Sequence, residues 1–289
     1  MKSPAFEYHC PTSVAEAVQL LAQDNVTLLA GGQSLVPMMN FRLLAPAALI
    51  DLNKVAELGE MKLSPERLSF GAMVRQRLLE RDPALKALAP IFSEAVQQVG
   101  HRQTRNRGTI GGSLCHLDPS AELPALCMLH DAHLTLVKEN ARREVSIHDF
   151  IKGAMSNDLA SGEMLTRIDM TPWPKGHGYA FLEHARRAGD FAMSSASCLV
   201  TLDQKGLIER LAICVGGLGD KSVRLRKIEV AAKGHGLTQD ILDAAGEEAR
   251  SCPADGNLHA SAAFKRQIAA TLTKRALKLA FERVSGGVA

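Results

Sequence analysis

Two glycine pairs are the residues of this chain whose type and spacing most suggest chemistry. Leu29-Ala30-Gly31-Gly32-Gln33-Ser34-Leu35 and Thr109-Ile110-Gly111-Gly112-Ser113 each place adjacent glycines between apolar residues and a serine. Adjacent glycines can take positive φ, so successive backbone N–H groups converge, and the missing Cβ lets a phosphate approach the main chain. Ser34 and Ser113 add hydroxyl donors. One such pair is usually only a turn; two alike are able to grip a diphosphate between them without an obligatory arginine, but do not by themselves name the ligand. Replacing Gly111 by Val is then expected to block the phosphate and leave a folded chain.

Other candidate groups have simpler explanations. His130-Asp131-Ala132-His133 spaces two histidines at i, i+3 beside a carboxylate, but no third metal ligand is near in sequence. Cys115-His116 follows the second glycine pair and invites a thiolate reading, although a small buried thiol accounts for it as well. Arg186-Arg187-Ala188-Gly189-Asp190-Phe191-Ala192 reads either as a solvated hairpin turn or as a charged loop facing a redox ring. No G-x-G-x-x-G opens a helix, and Gly216-Gly217-Leu218-Gly219-Asp220-Lys221-Ser222 fails the P-loop pattern because Asp220 replaces a glycine. No G-x-S-x-G or H-E-x-x-H occurs.

The elements that must position these residues are legible from capping and periodicity. Ser13 and Glu16 form a capping-box pattern that predicts a helix from Ser13 to about Gln23. Strands are expected at Val26 to Ala30 and Ala48 to Leu52, so the first 55 or so residues form a small β-α-β-like unit with a glycine turn at a strand end. A strand over Leu68 to Met73, a helix over Pro83 to Val99, and strands over Ala132 to Val137 and Met164 to Met170 follow. Asp118-Pro119 reads as the N-cap and first residue of a further helix. Pro172-Trp173-Pro174-Lys175-Gly176-His177-Gly178 suits neither helix nor central strand and is the expected domain linker. Beyond it come strand-like runs at Tyr179 to Arg186, Ser197 to Leu202 and Arg210 to Gly216, then helices at Ile228 to Lys233, Thr238 to Ala249 and Ala260 to Arg283.

Composition bounds the rest. The 289 residues, 46% hydrophobic and 22% charged, are long enough for two domains without disulfide or metal staples. Lys plus Arg (34) barely exceed Asp plus Glu (31), which argues against nucleic acid as a partner. The N-terminal residues lack a signal-peptide core and no long apolar run occurs, so a soluble, cytoplasmic chain without a membrane span is expected. None of the six cysteines stands in a C-x-x-C pair, so no local signature of a zinc or iron–sulfur site is present.

Taken together, Ala30 to Leu35, Arg105-Asn106-Arg107-Gly108 with Thr109 to Ser113, Asp118-Pro119-Ser120-Ala121-Glu122-Leu123-Pro124, and Arg186 to Ala192 resemble the FAD-binding medium subunit of molybdenum hydroxylases, the xanthine and carbon monoxide dehydrogenase family. His259 to Arg266 and Lys274 to Leu277 extend the resemblance almost to the C-terminus. The resemblance implies an α+β fold: a vanillyl-alcohol-oxidase (PCMH)-type FAD-binding domain over 1–173, of two α/β subdomains (about 1–55 and 56–173). A C-terminal domain over 179–289 would follow, with a three-stranded antiparallel sheet and helices. It implies that Leu29 to Leu35 and Thr109 to Ser113 hold the FAD diphosphate and that His116 and Asp118 line the cofactor. Glu122 would reach the ribityl hydroxyls, the Leu165 backbone would approach the flavin, and Asp190 would sit near the ring.

The resemblance also implies an electron relay. The chain would take electrons from two [2Fe-2S] clusters of a small partner subunit and pass them through FAD to an external acceptor. A large partner subunit would carry a molybdopterin-type molybdenum cofactor and hydroxylate an N-heteroaromatic, purine or aldehyde-like substrate, in a dimer of heterotrimers. No catalytic side chain and no metal ligand is then needed in this chain. Gln33 stands where carbon monoxide dehydrogenases resemble one another in carrying His, which disfavours CO as substrate. The cysteine-bearing insert of the 4-hydroxybenzoyl-CoA reductase flavoprotein is missing, which disfavours an extra cluster. The alternative is a free-standing flavoprotein of the same fold with its own substrate pocket.

Overall fold

The computed structural model describes residues 2–285; residues 1 and 286–289 of the two expected domains lie outside them. The N-terminal layer is β1 (Glu7–His9), α1 (Val14–Leu21), β2 (Val26–Leu29), α2 (Leu35–Asn40) and β3 (Ala48–Asp51), its strands parallel in the order β1-β3-β2. Ser13 caps α1 by accepting from the Glu16 amide at 3.2 Å, while the Glu16 carboxylate turns back to the Thr12 amide rather than to Ser13. β1 was not apparent from sequence, because three residues carry too little periodicity.

The second layer begins with β4 (Met61–Leu63) and β5 (Leu68–Gly71), then α3 (Gln76–Arg81), α4 (Pro83–Leu88), α5 (Ile91–Gln98), α6 (Arg102–Arg107), α7 (Ile110–His116) and α8 (Glu122–Leu129). β6 (His133–Lys138), β7 (Ala141–Ser146), the turn α9 (Ile147–Phe150), the short pair β8 (Ile151–Gly153) and β9 (Ser156–Asn157), and β10 (Met164–Met170) complete it. Its five-stranded antiparallel sheet has the order β4-β5-β10-β6-β7. Leu68, Phe70, Leu134, Leu136 and Ile168 on one face pack against Phe92, Ile110, Leu114 and Leu126 of the helices. Each such side chain contributes roughly 1.5–3 kcal/mol by leaving water.

Residues 171–177 form no regular element, yet Trp173 is buried and the Arg210 guanidinium lies 4.0 Å over its ring. The third layer is β11 (Gly178–His184), β12 (Ser194–Leu202), β13 (Ile208–Gly216), β14 (Val223–Arg224), α10 (Arg226–Ala231), α11 (Gln239–Arg250) and α12 (Ala262–Ser285). β11 to β14 pair antiparallel in chain order, so the expected three-stranded sheet has a fourth, two-residue strand. Alternation splits this sheet: Ala180, Val200 and Ile213 face α12, whereas Phe181, Leu199, Ala212 and Cys214 join the core of the second layer.

Three local expectations change. The helix expected over Pro83 to Val99 is two helices, because Pro90 forces Ala89 out of the helical region (φ −147°, ψ 69°). Asp118-Pro119 does not open α8: the Asp118 carboxylate folds onto the Ser120 amide at 2.9 Å and hydroxyl at 2.6 Å, and the helix starts at Glu122. The second glycine pair is not a turn with positive φ. Gly111 and Gly112 lie in the first turn of α7, capped by the Thr109 hydroxyl at 3.0 Å from the Gly112 amide.

Candidate functional site

The two glycine segments meet. β2 ends at Leu29, and Ala30 to Ser34 form the loop that enters α2 with Gly32 at φ +71°. β3, in register beside β2, ends at Asp51, so a carboxylate stands at the edge over which that loop passes. Asp51 accepts from the Tyr8 hydroxyl at 2.5 Å and from the Asn53 amide at 2.9 Å; Asn53 Nδ2 in turn donates to the Ala30 carbonyl at 3.2 Å. Burial raises the Asp51 carboxyl, but the bonds from Tyr8 and Asn53 and the charge of Arg107 bring it below the usual range.

From the other side, residues 74–76 pair with 108–110: Ile110 N donates to Val74 O at 3.0 Å and Gln76 N to Gly108 O at 2.9 Å. Arg75, between them, donates to the Arg107 carbonyl and to Asn53 Oδ1. The Gly31 main chain rests on that same Arg107 carbonyl.

Donor availability separates the two segments. The amides of Gly32, Gln33 and Ser34 have no acceptor among the described residues, and the Ser34 hydroxyl makes no cap bond. In the second segment, Ile110 N, Gly111 N and Gly112 N are already spent on Val74 O, Ala72 O and Thr109 Oγ1. The missing Cβ of Gly111 faces Ala72 at 2.6 Å, not open space. Gly111 is therefore a packing glycine, and the expected reason for its sensitivity to Val is corrected: the clash is with β5's continuation, not with a phosphate.

The remaining expected residues lie on three further elements and loops. His116 is the last residue of α7, and Leu117 follows at φ 51°. Leu165 is buried in β10 beside a bulge whose Thr166 carbonyl accepts from Ala72 N at 3.0 Å, one residue pair away from Gly111. Asp118 and Glu122 lie where the second layer meets the third: Gly217 N donates to Pro119 O at 3.0 Å. Glu183, on the same face of β11 as Phe181, brings a buried carboxylate oxygen without a hydrogen-bond partner to this seam. Burial, then the charges of Glu183 and Asp118, push the Glu122 carboxyl up to about 8; burial pushes Glu183 up to about 7. Asp190 sits in the β11–β12 loop, ion-paired with Arg186 at 2.9 Å, and Gly189 of that loop packs on the His101 imidazole.

Two candidate groups lose their chemical reading. Burial pushes the Cys115 thiol up to about 12, so it is not a thiolate. His130 is buried, its Nδ1 3.0 Å from Leu126 O, and burial lowers it to about 4, while His133 is exposed on β6. No group of three metal-ligating side chains is assembled among the described residues. No helix among them is long and apolar enough to cross a membrane.

The fold is that of a flavoprotein class. Residues 4–173 match the family described as the FAD binding domain in molybdopterin dehydrogenase, and residues 179–280 match the CO dehydrogenase flavoprotein C-terminal domain. The chain belongs to this family of FAD-dependent oxidoreductase subunits. Among its relatives, 6-hydroxypseudooxynicotine dehydrogenase complex subunit alpha of Paenarthrobacter nicotinovorans is 35% identical, over 98% of this chain and 97% of that one. Caffeine dehydrogenase subunit beta of Pseudomonas sp. (strain CBB1) is 34% identical, over 98% and 97%. A chain of quinoline 2-oxidoreductase from Pseudomonas putida 86 superposes with a TM-score of 0.93 at 34% identity, over 98% of this chain and 99% of that one.

The residues present fit a dinucleotide. Three successive amides are unclaimed at a positive-φ glycine, and Arg75 and Arg107, whose charges both act on Asp51 at the edge over which that loop passes, have no ion-pair partner among the described residues. Sequence reasoning missed Asn53, Arg75 and Glu183. Asn53 had a signal, since Asp51-Leu52-Asn53 ends an apolar strand in polar side chains. Arg75 and Glu183 had none, because only the packing of separate layers brings them here.

Proposed function

We propose that this chain is the flavin-carrying relay of a molybdenum hydroxylase complex, with the FAD diphosphate seated on Ala30 to Leu35 and bordered by Thr109 to Ser113. The observation that carries this reading is the run of unclaimed Gly32, Gln33 and Ser34 amides in a loop whose Gly31 rests on the Arg107 carbonyl that Arg75 holds, with neither arginine ion-paired among the described residues, an arrangement that suits a dianion. FAD, when bound, supplies two-electron chemistry that can also proceed one electron at a time. The chain's own residues bind and orient it. Ser34 and Ser113 offer hydroxyls, Asp118 and Glu122 offer oxygens for the ribityl chain and His116 borders them, while Leu165 presents backbone and Asp190 a charge held in place by Arg186.

In the same reading, electrons arrive from two [2Fe-2S] clusters of a small partner subunit and leave to an external acceptor. The substrate is hydroxylated by a large subunit with a molybdopterin-type cofactor, the whole being a cytoplasmic dimer of heterotrimers. The family match and the dehydrogenase names of the relatives support this; caffeine and quinoline, named in two of them, support an N-heteroaromatic substrate. The test is to purify the chain at native expression level with its bound partners. Non-covalent FAD released on denaturation, with molybdenum- and iron-bearing chains alongside, is the expected result. A folded chain that neither contains nor takes up FAD overturns the reading, and substrate oxidation by this chain alone would replace it with a self-sufficient flavoenzyme.

A further inference from the structure

The two glycine segments belong to different layers, and few contacts hold them in register. The first hangs from the parallel sheet, and its carbonyl at Ala30 is fixed by Asn53 Nδ2 at 3.2 Å. The second begins after Arg107, whose carbonyl is fixed by Arg75. Gly31 rests directly on the Arg107 carbonyl, and one guanidinium ties the two sides together there: Arg75 reaches Arg107 O with Nη1 and Asn53 Oδ1 with Nη2. Asn53 is itself oriented by Asp51, which the Tyr8 hydroxyl holds at 2.5 Å. The result is a continuous chain of bonds, Tyr8–Asp51–Asn53–Arg75–Arg107, running under both segments.

We propose that Arg75 is the positioning residue of the cofactor cradle, a two-pronged clamp that sets the separation between Ala30 to Leu35 and Thr109 to Ser113. This rests on the FAD reading above. Arg75 bonds to protein carbonyl and amide oxygens, so it acts through the segments it holds rather than as a catalytic residue. A planar guanidinium can satisfy two acceptors at a fixed angle, whereas a lysine ammonium is a point charge on a flexible stem. Pre-setting the separation spares the cofactor the cost of ordering both segments when it binds.

The charges around Arg75 agree with this role. Burial and the neighbouring Arg107 lower its basicity while Asp51 raises it, so one carboxylate faces two cations and the cradle keeps a surplus positive charge. That surplus suits an anionic ligand over the segments and costs self-repulsion without one.

The test compares wild type, Arg75→Ala, Arg75→Lys, Asn53→Ala and the Arg75→Ala/Asn53→Ala double variant of the full chain after flavin removal. FAD affinity is measured by flavin fluorescence quenching and the apo melting temperature by circular dichroism. The clamp predicts that Arg75→Ala weakens FAD binding roughly ten- to a hundredfold, by analogy with the loss when residues that orient metal ligands are removed. It predicts Arg75→Lys within about threefold of Arg75→Ala, and a double variant no weaker than the stronger single one, since both break one linkage. Apo melting temperatures should stay within about 3 °C of wild type.

Wild-type affinity in Arg75→Lys overturns the clamp in favour of charge alone. Additive losses, or affinity losses that track falling melting temperatures, overturn it in favour of general destabilisation. Amide hydrogen exchange on the apo chain keeps the clamp testable apart from flavin: Arg75→Ala should exchange faster at Val36 and Ile110, whose amides bond to Gly32 O and Val74 O. Unchanged exchange there refutes the clamp even if FAD binds, and faster exchange supports it even if FAD does not.

Discussion

A Cβ added to Gly31 would stand 2.3 Å from the Arg107 carbonyl oxygen and 2.8 Å from the Gly108 Cα. The loop after β2 and the lead-in to α7 thus touch backbone to backbone, with no side chain between them to yield. Gly31→Ala should therefore force the two segments apart. We expect a loss of about 1–3 kcal/mol in urea unfolding, the usual range for overpacking, together with loss of tightly bound FAD. Retained FAD content in a Gly31→Ala protein would sink the assignment of this junction to the cofactor.

Gly111→Val is expected to behave differently from a blocked phosphate site. Its Cβ would meet the Ala72 Cβ and carbonyl, both at 2.6 Å, in the packed interior next to β10. Poor expression or a lowered melting temperature should precede any specific effect on flavin. A Gly111→Val chain with wild-type stability and no FAD would restore the simpler account.

Glu122 and Glu183 make stability depend on pH. Both carboxyls hold their proton more tightly in the folded chain, with values of about 8 and about 7 against an ordinary 4.5. The folded state therefore binds more protons than the unfolded one across that window, and stability falls as pH rises from about 5 to about 8. The apo melting temperature should drop over that range, and Glu122→Gln should flatten the slope. A wild-type profile that rises from pH 5 to 8, or one that Glu122→Gln leaves unchanged, would contradict the burial of this pair.

Arg224 ties the third layer to the second. Its side chain is 5% exposed and bonds Glu229 Oε1 at 2.8 Å, Asp131 Oδ1 at 3.1 Å and the Met128 carbonyl at 2.8 Å, the last near the end of α8. Arg224→Ala leaves Glu229, 7% exposed, as a buried charge without this partner and should cost about 3–5 kcal/mol in chemical denaturation. A cost under about 1 kcal/mol would show that Arg226, 3.5 Å from Glu229, takes over the pairing.

The amino-acid order by itself determined most local elements and, through its resemblance to a flavoprotein family, the cofactor. Ser13 and Thr238 are strong caps because a hydroxyl can satisfy an orphan amide wherever the helix lies, so those starts can be read locally, whereas Thr109 caps a helix whose glycine pair reads in sequence as a turn. The glycine pairs were legible for the same reason, since adjacent residues without Cβ are rare outside turns and close contacts. What each pair does was decided by tertiary structure. Gly32 takes the left-handed turn and leaves its neighbours' amides unclaimed, whereas Gly111 is a glycine because Ala72 crosses it. The split of Pro83 to Val99 at Pro90 could have been read from sequence; the failure of Asp118 to open a helix could not, because capping and Asx-turn geometries compete for the same residues. Arg75 and Glu183 stayed invisible because their roles depend on residues dozens of positions away, while Asn53 carried a signal only in the polar end of its strand. Hydrogen bonds and burial act through space, and only the packing of three layers determines which distant side chains become neighbours.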